Sequence, residues 1–140
     1  MSIEYAYNTS FSLDNEKKVS KWLKKAVETE GFSVGEVVCA FFNDNDLKEL
    51  NVKHLNHDFF TDVISFNDSK NDVLSGNIAI SVDRVKENSI KFKTSFNDEM
   101  MRVMVHGLLH FMGYDDSSEE ETLLMRNKED DNLKMFHVEQ

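Results

Sequence analysis

Met100-Met101-Arg102-Val103-Met104-Val105-His106-Gly107-Leu108-Leu109-His110-Phe111-Met112-Gly113-Tyr114-Asp115-Asp116 decides how this chain is read. From Met100 to Met112 the side chains are apolar almost all round, the pattern of a helix buried on every side. Only Arg102, His106 and His110 break it, at i, i+4 and i+8, so they form one polar stripe along an apolar rod. Burying polar groups without partners costs on the order of 1–3 kcal/mol each, so the stripe needs a reason. Two histidines one turn apart can share a metal ion. Gly113 is where such a helix can stop in left-handed geometry, and the chain can then fold back to offer Asp116 as a third ligand. Two imidazoles and one carboxylate with an open position make a catalytic zinc site rather than a closed structural one. Core histidines bonded to carbonyls would explain one histidine, but not a pair with the glycine and aspartate in register.

Around this helix, strands and helices alternate. Residues 3–7 read as a first strand and 15–30 as an amphipathic helix, with Val19, Trp22, Leu23, Ala26 and Val27 on one face and Gly31 ending it. Val34–Phe42 is an apolar run broken only by Glu36, as in a central strand buried on both faces. Asn43 caps a short helix through about Leu55. Thr61–Phe66 and Leu74–Ser81 follow as strands, the second placing Leu74, Gly76, Ile78 and Ile80 on one face. In the first, Thr61 and Ser65 share a face and could contact substrate, whereas Asp62 points to the other. Ser81–Lys91 is a helix, the metal helix spans about Asn97–Met112, and Ser117 with Glu120 forms a capping-box pattern opening a last helix to about Phe136. The expected fold is α+β: a small mixed β-sheet with packed helices and the metal site on a buried helix.

The 140 residues, 40% hydrophobic and without proline or repeats, suit one domain over 1–140. No transmembrane run or secretory signal is visible, so no membrane partner is expected. Cys39 is the sole cysteine, which points to a reducing cytoplasm, and its apolar surroundings mark it as structural rather than nucleophilic. The net charge of −10 argues against a simple nucleic-acid coat. Its distribution softens that objection, because residues 115–140 hold nine acids and three bases. Lys17, Lys18, Lys21, Lys24 and Lys25 form one basic group and Arg84, Lys86, Lys91 and Lys93 another; each could meet phosphate or simply be a solvated helix face.

Metal-assisted hydrolysis is the default chemistry of such a site. Zinc proteases carry His-Glu-x-x-His, with the glutamate as general base, and here Gly107 occupies that position. Phosphodiester hydrolysis fits more readily, because a metal both activates water and neutralises phosphate charge.

His106-Gly-Leu-Leu-His110-x-x-Gly113-Tyr114-Asp115 resembles the signature of the YbeY family of bacterial single-strand-specific endoribonucleases, which act in ribosomal RNA maturation and ribosome quality control. Leu50-Asn51 followed by Thr61-Asp62-Val63-Ile64-Ser65-Phe66, the block Ser75–Ser81, and Arg102-Val-Met-Val-His106 are similar to further family blocks in the same order. The resemblance implies a single zinc ion on His106, His110 and Asp116 and an RNA substrate, with no DNA. It further implies action on the 3′ end of 16S ribosomal RNA with the small ribosomal subunit as partner. Three positions depart from the family. Asp116 stands where a third histidine is usual, which can alter metal preference. Leu55, in His54-Leu55-Asn56-His57-Asp58, replaces an arginine able to clamp phosphate, and Asn77 replaces an aspartate. His54, His57 or Arg102 could supply the missing positive charge, with His57 and Arg102 the catalytic candidates. The alternatives are a ribosome-assembly factor with a structural metal and little catalysis, and a zinc metalloprotease.

Overall fold

The computed structural model describes residues 2–57 and 60–138, so Asp58 of the Leu55 block lies outside the described residues. The elements run β1 (Ser2–Tyr7), α1 (Glu16–Thr29), β2 (Ser33–Phe42), α2 (Asp44–Leu55), β3 (Val63–Asn67), β4 (Val73–Ser81), α3 (Val82–Lys91), α4 (Phe96–Phe111) and α5 (Glu119–Val138). The strands form one sheet in the order β1-β2-β4-β3. β1 and β4 both pair with β2 in parallel, and β3 runs antiparallel along β4 at the edge. This is the α+β arrangement that the alternating patterns predict.

Each helix starts where a short polar side chain replaces a missing intrahelical bond. The side chains of Asn43, Ser81 and Ser95 accept from the backbone N–H groups of Asp46, Arg84 and Asp98. The α1 stripe is buried as the spacing requires: Val19, Trp22, Leu23, Ala26 and Val27 are each at most 2% exposed. Each such large side chain contributes roughly 1.5–3 kcal/mol by leaving water. The indole N–H of Trp22 also donates to the Asn132 carbonyl at 2.7 Å, tying α1 to α5.

The sheet is covered on both faces. Leu74, Ile78 and Ile80 of β4 join Val37, Cys39 and Phe41 of β2 in the main core under α1 and α4. Ala79 and Ile64 turn the other way and meet Leu47 of α2. Cys39 is fully buried, and burial pushes its thiol up to about 12, so it stays protonated and inert.

Two boundaries move from their expected places. β3 begins at Val63 rather than Thr61: the Asp62 carbonyl still accepts from the Ser81 N–H at 2.9 Å, in line with the β4 ladder, but the backbone bends at Asp62. The capping box sits one residue late. Ser118 accepts from the Glu121 N–H and donates its own N–H to the Glu121 carboxylate, both at 3.1 Å, while Ser117 donates its hydroxyl to the same carboxylate. None of the described helices is long and apolar enough to cross a membrane.

Gly107 packs α4 tightly against Ile78 of β4. A Cβ there would lie 2.9–3.0 Å from three side-chain atoms of Ile78, which is itself fully buried. Two of those atoms branch directly from the Ile78 Cβ, so the side chain cannot swing only its tip away. Gly107→Ala therefore loses about 1–2 kcal/mol net, overpacking exceeding the gain of about 1 kcal/mol in helix propensity. Urea unfolding should show a lower midpoint with an unchanged slope.

Candidate metal centre

His106 and His110 project from one side of α4 with ring centroids 4.6 Å apart. The helix then stops as Gly113 predicts. The Gly113 N–H donates to the His110 carbonyl and the Tyr114 N–H to the Leu109 carbonyl, with Gly113 at φ 102, the two bonds of a Schellman stop. The turn brings Asp116 back over the histidines, with Oδ2 3.5 Å from His106 Nε2 and 3.7 Å from His110 Nε2. One donor atom from each of the three residues falls within 4.8 Å of the others, so His106, His110 and Asp116 form a group able to hold a metal ion.

Hydrogen bonding fixes which ring nitrogens face that point. His110 Nδ1 lies 3.0 Å from the Tyr114 carbonyl, and a carbonyl only accepts, so Nδ1 carries the proton. His106 Nδ1 likewise donates to Glu129 Oε2 at 2.6 Å. With both Nδ1 atoms donating, the neutral rings turn their Nε2 lone pairs toward one point, 3.0 Å apart and beside a carboxylate. Two lone pairs at that distance repel unless a cation lies between them, so the donor set fits a divalent ion. Carboxylate–histidine and carbonyl–histidine pairs of this kind orient metal ligands and raise their basicity.

The polar stripe on α4 finds its reason in α5. Glu129 is only 5% exposed. Its Oε2 holds His106 and its Oε1 accepts from the Arg102 guanidinium at 2.9 Å, while Arg102 also donates to Asp130 at 2.7 Å. Burial works against charge at both cationic groups. The Glu129 bond and charge outweigh it at His106, and the Asp130 and Glu129 bonds outweigh it at Arg102, so both are raised above their ordinary values. Arg102 thus lies beside the site with both terminal nitrogens engaged by carboxylates. Glu129 itself was not singled out from sequence. The signal was the spacing of Met125, Glu129 and Leu133, the buried residues of α5, which places the carboxylate in the middle of a core-facing stripe.

Two clefts meet at this group. One runs toward α3 and α5 and is lined by Asn88, Phe92, Met125 and Arg126. The other runs toward α2 and β3 and is lined by Asn51, Leu55, His57, Thr61 and Ser65. Asp62, Val63, His106 and Asp116 border both. Thr61 and Ser65 therefore face the site region together, and His57 is brought to the same wall. Asp62 is a correction: the alternation of a strand from Thr61 points it away, but it precedes β3 and turns into the clefts, where Asn88 donates to it at 3.3 Å. Burial raises its carboxyl above the usual range against the pull of His106. Leu55 is exposed at the rim, and Asn77 is exposed on β4.

A mixed sheet with a two-histidine helix and a returning aspartate defines a small protein with one open His-His-Asp group between two clefts. Residues 3–137 match the family model described as Endoribonuclease YbeY. Relatives named Endoribonuclease YbeY include one from Flavobacterium psychrophilum, 46% identical over 138 residues, and one from Flavobacterium johnsoniae, 45% identical over 138 residues. Each match covers 99% of both chains. The solution structure of TM1509 from Thermotoga maritima superposes with a TM-score of 0.71 at 26% identity, covering 98% of this chain and 90% of that one. The chain belongs to the YbeY endoribonuclease family.

Glu129→Gln keeps a hydrogen-bond acceptor for His106 but removes the charge, and should weaken divalent-ion affinity about 10- to 100-fold, read by competition with a chromogenic chelator. Glu30 supplies a pH test. It accepts from the Tyr114 hydroxyl at 2.6 Å and from Lys128 at 2.8 Å, and although burial opposes it, these bonds hold its carboxyl below the usual value. Its stabilisation is present above the unfolded carboxylate value and lost as pH falls through the lowered folded value. Tyr114→Phe should flatten part of the acid limb of a stability–pH profile below about pH 4.5.

Proposed function

We propose that this chain is a metal-dependent endoribonuclease, a single hydrolase domain that hydrolyses phosphodiesters of single-stranded ribosomal RNA in the cytoplasm. The observation that carries this reading is the openness of the donor group. The side chains of His106, His110 and Asp116 are 20%, 27% and 45% exposed at the junction of two clefts, whereas a structural ion is enclosed by four ligands. His106 Nε2, His110 Nε2 and Asp116 Oδ2 would hold the ion, with zinc the expected occupant. A divalent ion there supplies Lewis acidity, lowering the pKa of water toward about 7 and neutralising phosphoryl charge.

The chain's own residues do the rest. Glu129 and the Tyr114 carbonyl keep both Nδ1 atoms protonated and both Nε2 atoms aimed inward. His57 stands on the wall shared with His110 and Asp116, and supplies positive charge toward phosphate where Leu55 replaces the family's arginine. Arg102 acts as a positioning residue through Glu129 rather than as a phosphate clamp. The substrate inferred is the 3′ region of 16S ribosomal RNA on the small subunit. An assembly factor with a closed structural metal fits the open group less well. A peptidase is disfavoured because position 107 faces Ile78 and leaves no room for the glutamate such enzymes use.

The test pairs metal content with cleavage of a single-stranded oligoribonucleotide, using protein freed of contaminating nucleases. His110→Ala should lose the ion and cut at background rate. His57→Ala should keep the ion and lose about 10- to 100-fold in kcat/KM, the worth of one charge-assisted hydrogen bond. Cleavage by His110→Ala at the wild-type rate would overturn the proposal, and hydrolysis of peptide but not RNA would replace it.

A further inference from the structure

Phe92 is an aromatic side chain that the fold does not use. It is 48% exposed. It closes α3 through its backbone N–H, which bonds the Asn88 carbonyl at 2.9 Å, so the helix end does not depend on the ring. The ring lines the cleft that leads to His106 and Asp116. Two cations attend it: the Arg126 guanidinium carbon lies 5.9 Å and Lys91 Nζ 5.4 Å from the ring centroid. An exposed aromatic face beside cations on the wall of a reaction cleft is a surface for a planar π system.

The charges of this cleft decide which one. Even with His106 counted beside Arg102 and Arg126, the four acids Asp62, Glu99, Asp116 and Glu129 outnumber the cations along its walls. A phosphate placed there would meet mainly like charge. A nucleobase carries no charge, offers N–H donors to carboxylates and stacks through either face. The other cleft shares Asp62 and Asp116 but is lined by no further acid, and it adds His57, His110 and the hydroxyl-bearing Thr61 and Ser65, so it suits the sugar–phosphate chain better.

We propose that Phe92 is the stacking platform for one unpaired base of the RNA substrate, adjoining the phosphodiester held over His106, His110 and Asp116. This inference rests on the reading of the chain as an RNA-cleaving enzyme. It also gives single-strand selectivity a physical cause: a base inside a duplex already has both faces stacked and cannot reach the ring without being unpaired. The Arg126 guanidinium lies over the ring, 5.9 Å from its centroid, and on this proposal it gives way to the base and stacks on the base's outer face.

Phe92→Trp tests this with a readout independent of cleavage, because Trp22, the native tryptophan, is buried. Single-stranded oligoribonucleotide should quench the introduced indole, and a duplex of the same sequence should not. In cleavage assays Phe92→Ala should raise KM for single strands about 5- to 100-fold, the worth of one base–aromatic stack. The turnover number, bound metal and unfolding midpoint should stay near wild type. Phe92→Trp should restore KM, and Phe92→Leu, apolar but without a stacking face, should not. Unchanged KM in Phe92→Ala, full function in Phe92→Leu, or equal quenching by duplex would each overturn the platform. The two readings fail separately. Cleavage by the wild type without quenching removes the platform alone, whereas quenching by single strands with no cleavage by metal-loaded wild type leaves the platform and removes the nuclease.

Discussion

One buried carboxylate organises the candidate centre. Glu129 lies between α4 and α5, holding Arg102 with one oxygen and His106 with the other. A carboxylate this deeply buried would be costly alone, and cations on both sides offset that cost. The pairing fixes the register of the two helices, because sliding either by a turn would strand the charge. It also explains why Arg102, His106 and His110 can lie along an otherwise apolar helix. The stripe is half of an interhelical network whose other half is on α5.

The second constraint is the turn after α4. Gly113 adopts the left-handed geometry that stops the helix, and the Tyr114 carbonyl is thereby delivered to His110 Nδ1. The Tyr114 hydroxyl is anchored on Glu30, which Lys128 of α5 also holds. Asp116 follows, its carbonyl taken by the Thr122 hydroxyl at 3.1 Å. Six residues thus end a helix, set one tautomer and place a third donor. Their anchor is the end of α1, a remote part of the chain. Preorganisation of this kind spares the donors from rearranging when an ion arrives.

What could be read from sequence, and what could not, follows the range of the interactions. The His106, His110 and Asp116 grouping is local: helical spacing puts the imidazoles one turn apart, and a glycine stop returns the aspartate. The α1 face and the alternation of β4 are legible for the same reason, since both are periodic. Glu129 and Glu30 meet their partners 23 and 84 positions away, and no local pattern names such a partner. Glu129 was half visible, because a glutamate at the centre of the Met125–Leu133 stripe needs a buried cation. Asp62 was misplaced because strand alternation was applied to a residue that precedes the strand. Ser117 and Ser118 both sit near a glutamate at capping distance, and only the length of the turn after Asp116 chooses between them.

Gly107 links packing to chemistry. Successive helix residues are about 100° apart, so a residue beside a metal-facing histidine must point elsewhere. Here elsewhere is Ile78, close enough that a glycine is what the contact admits. The same tight contact seats α4 against β4 and gives the histidines a rigid base. A proton acceptor therefore cannot come from the metal helix at that position, as it does in peptidases built on His-Glu-x-x-His. Any such group must reach the centre from across the clefts. There the described residues offer the Asp62 carboxylate from the approach to β3, on a different element from the metal-facing histidines.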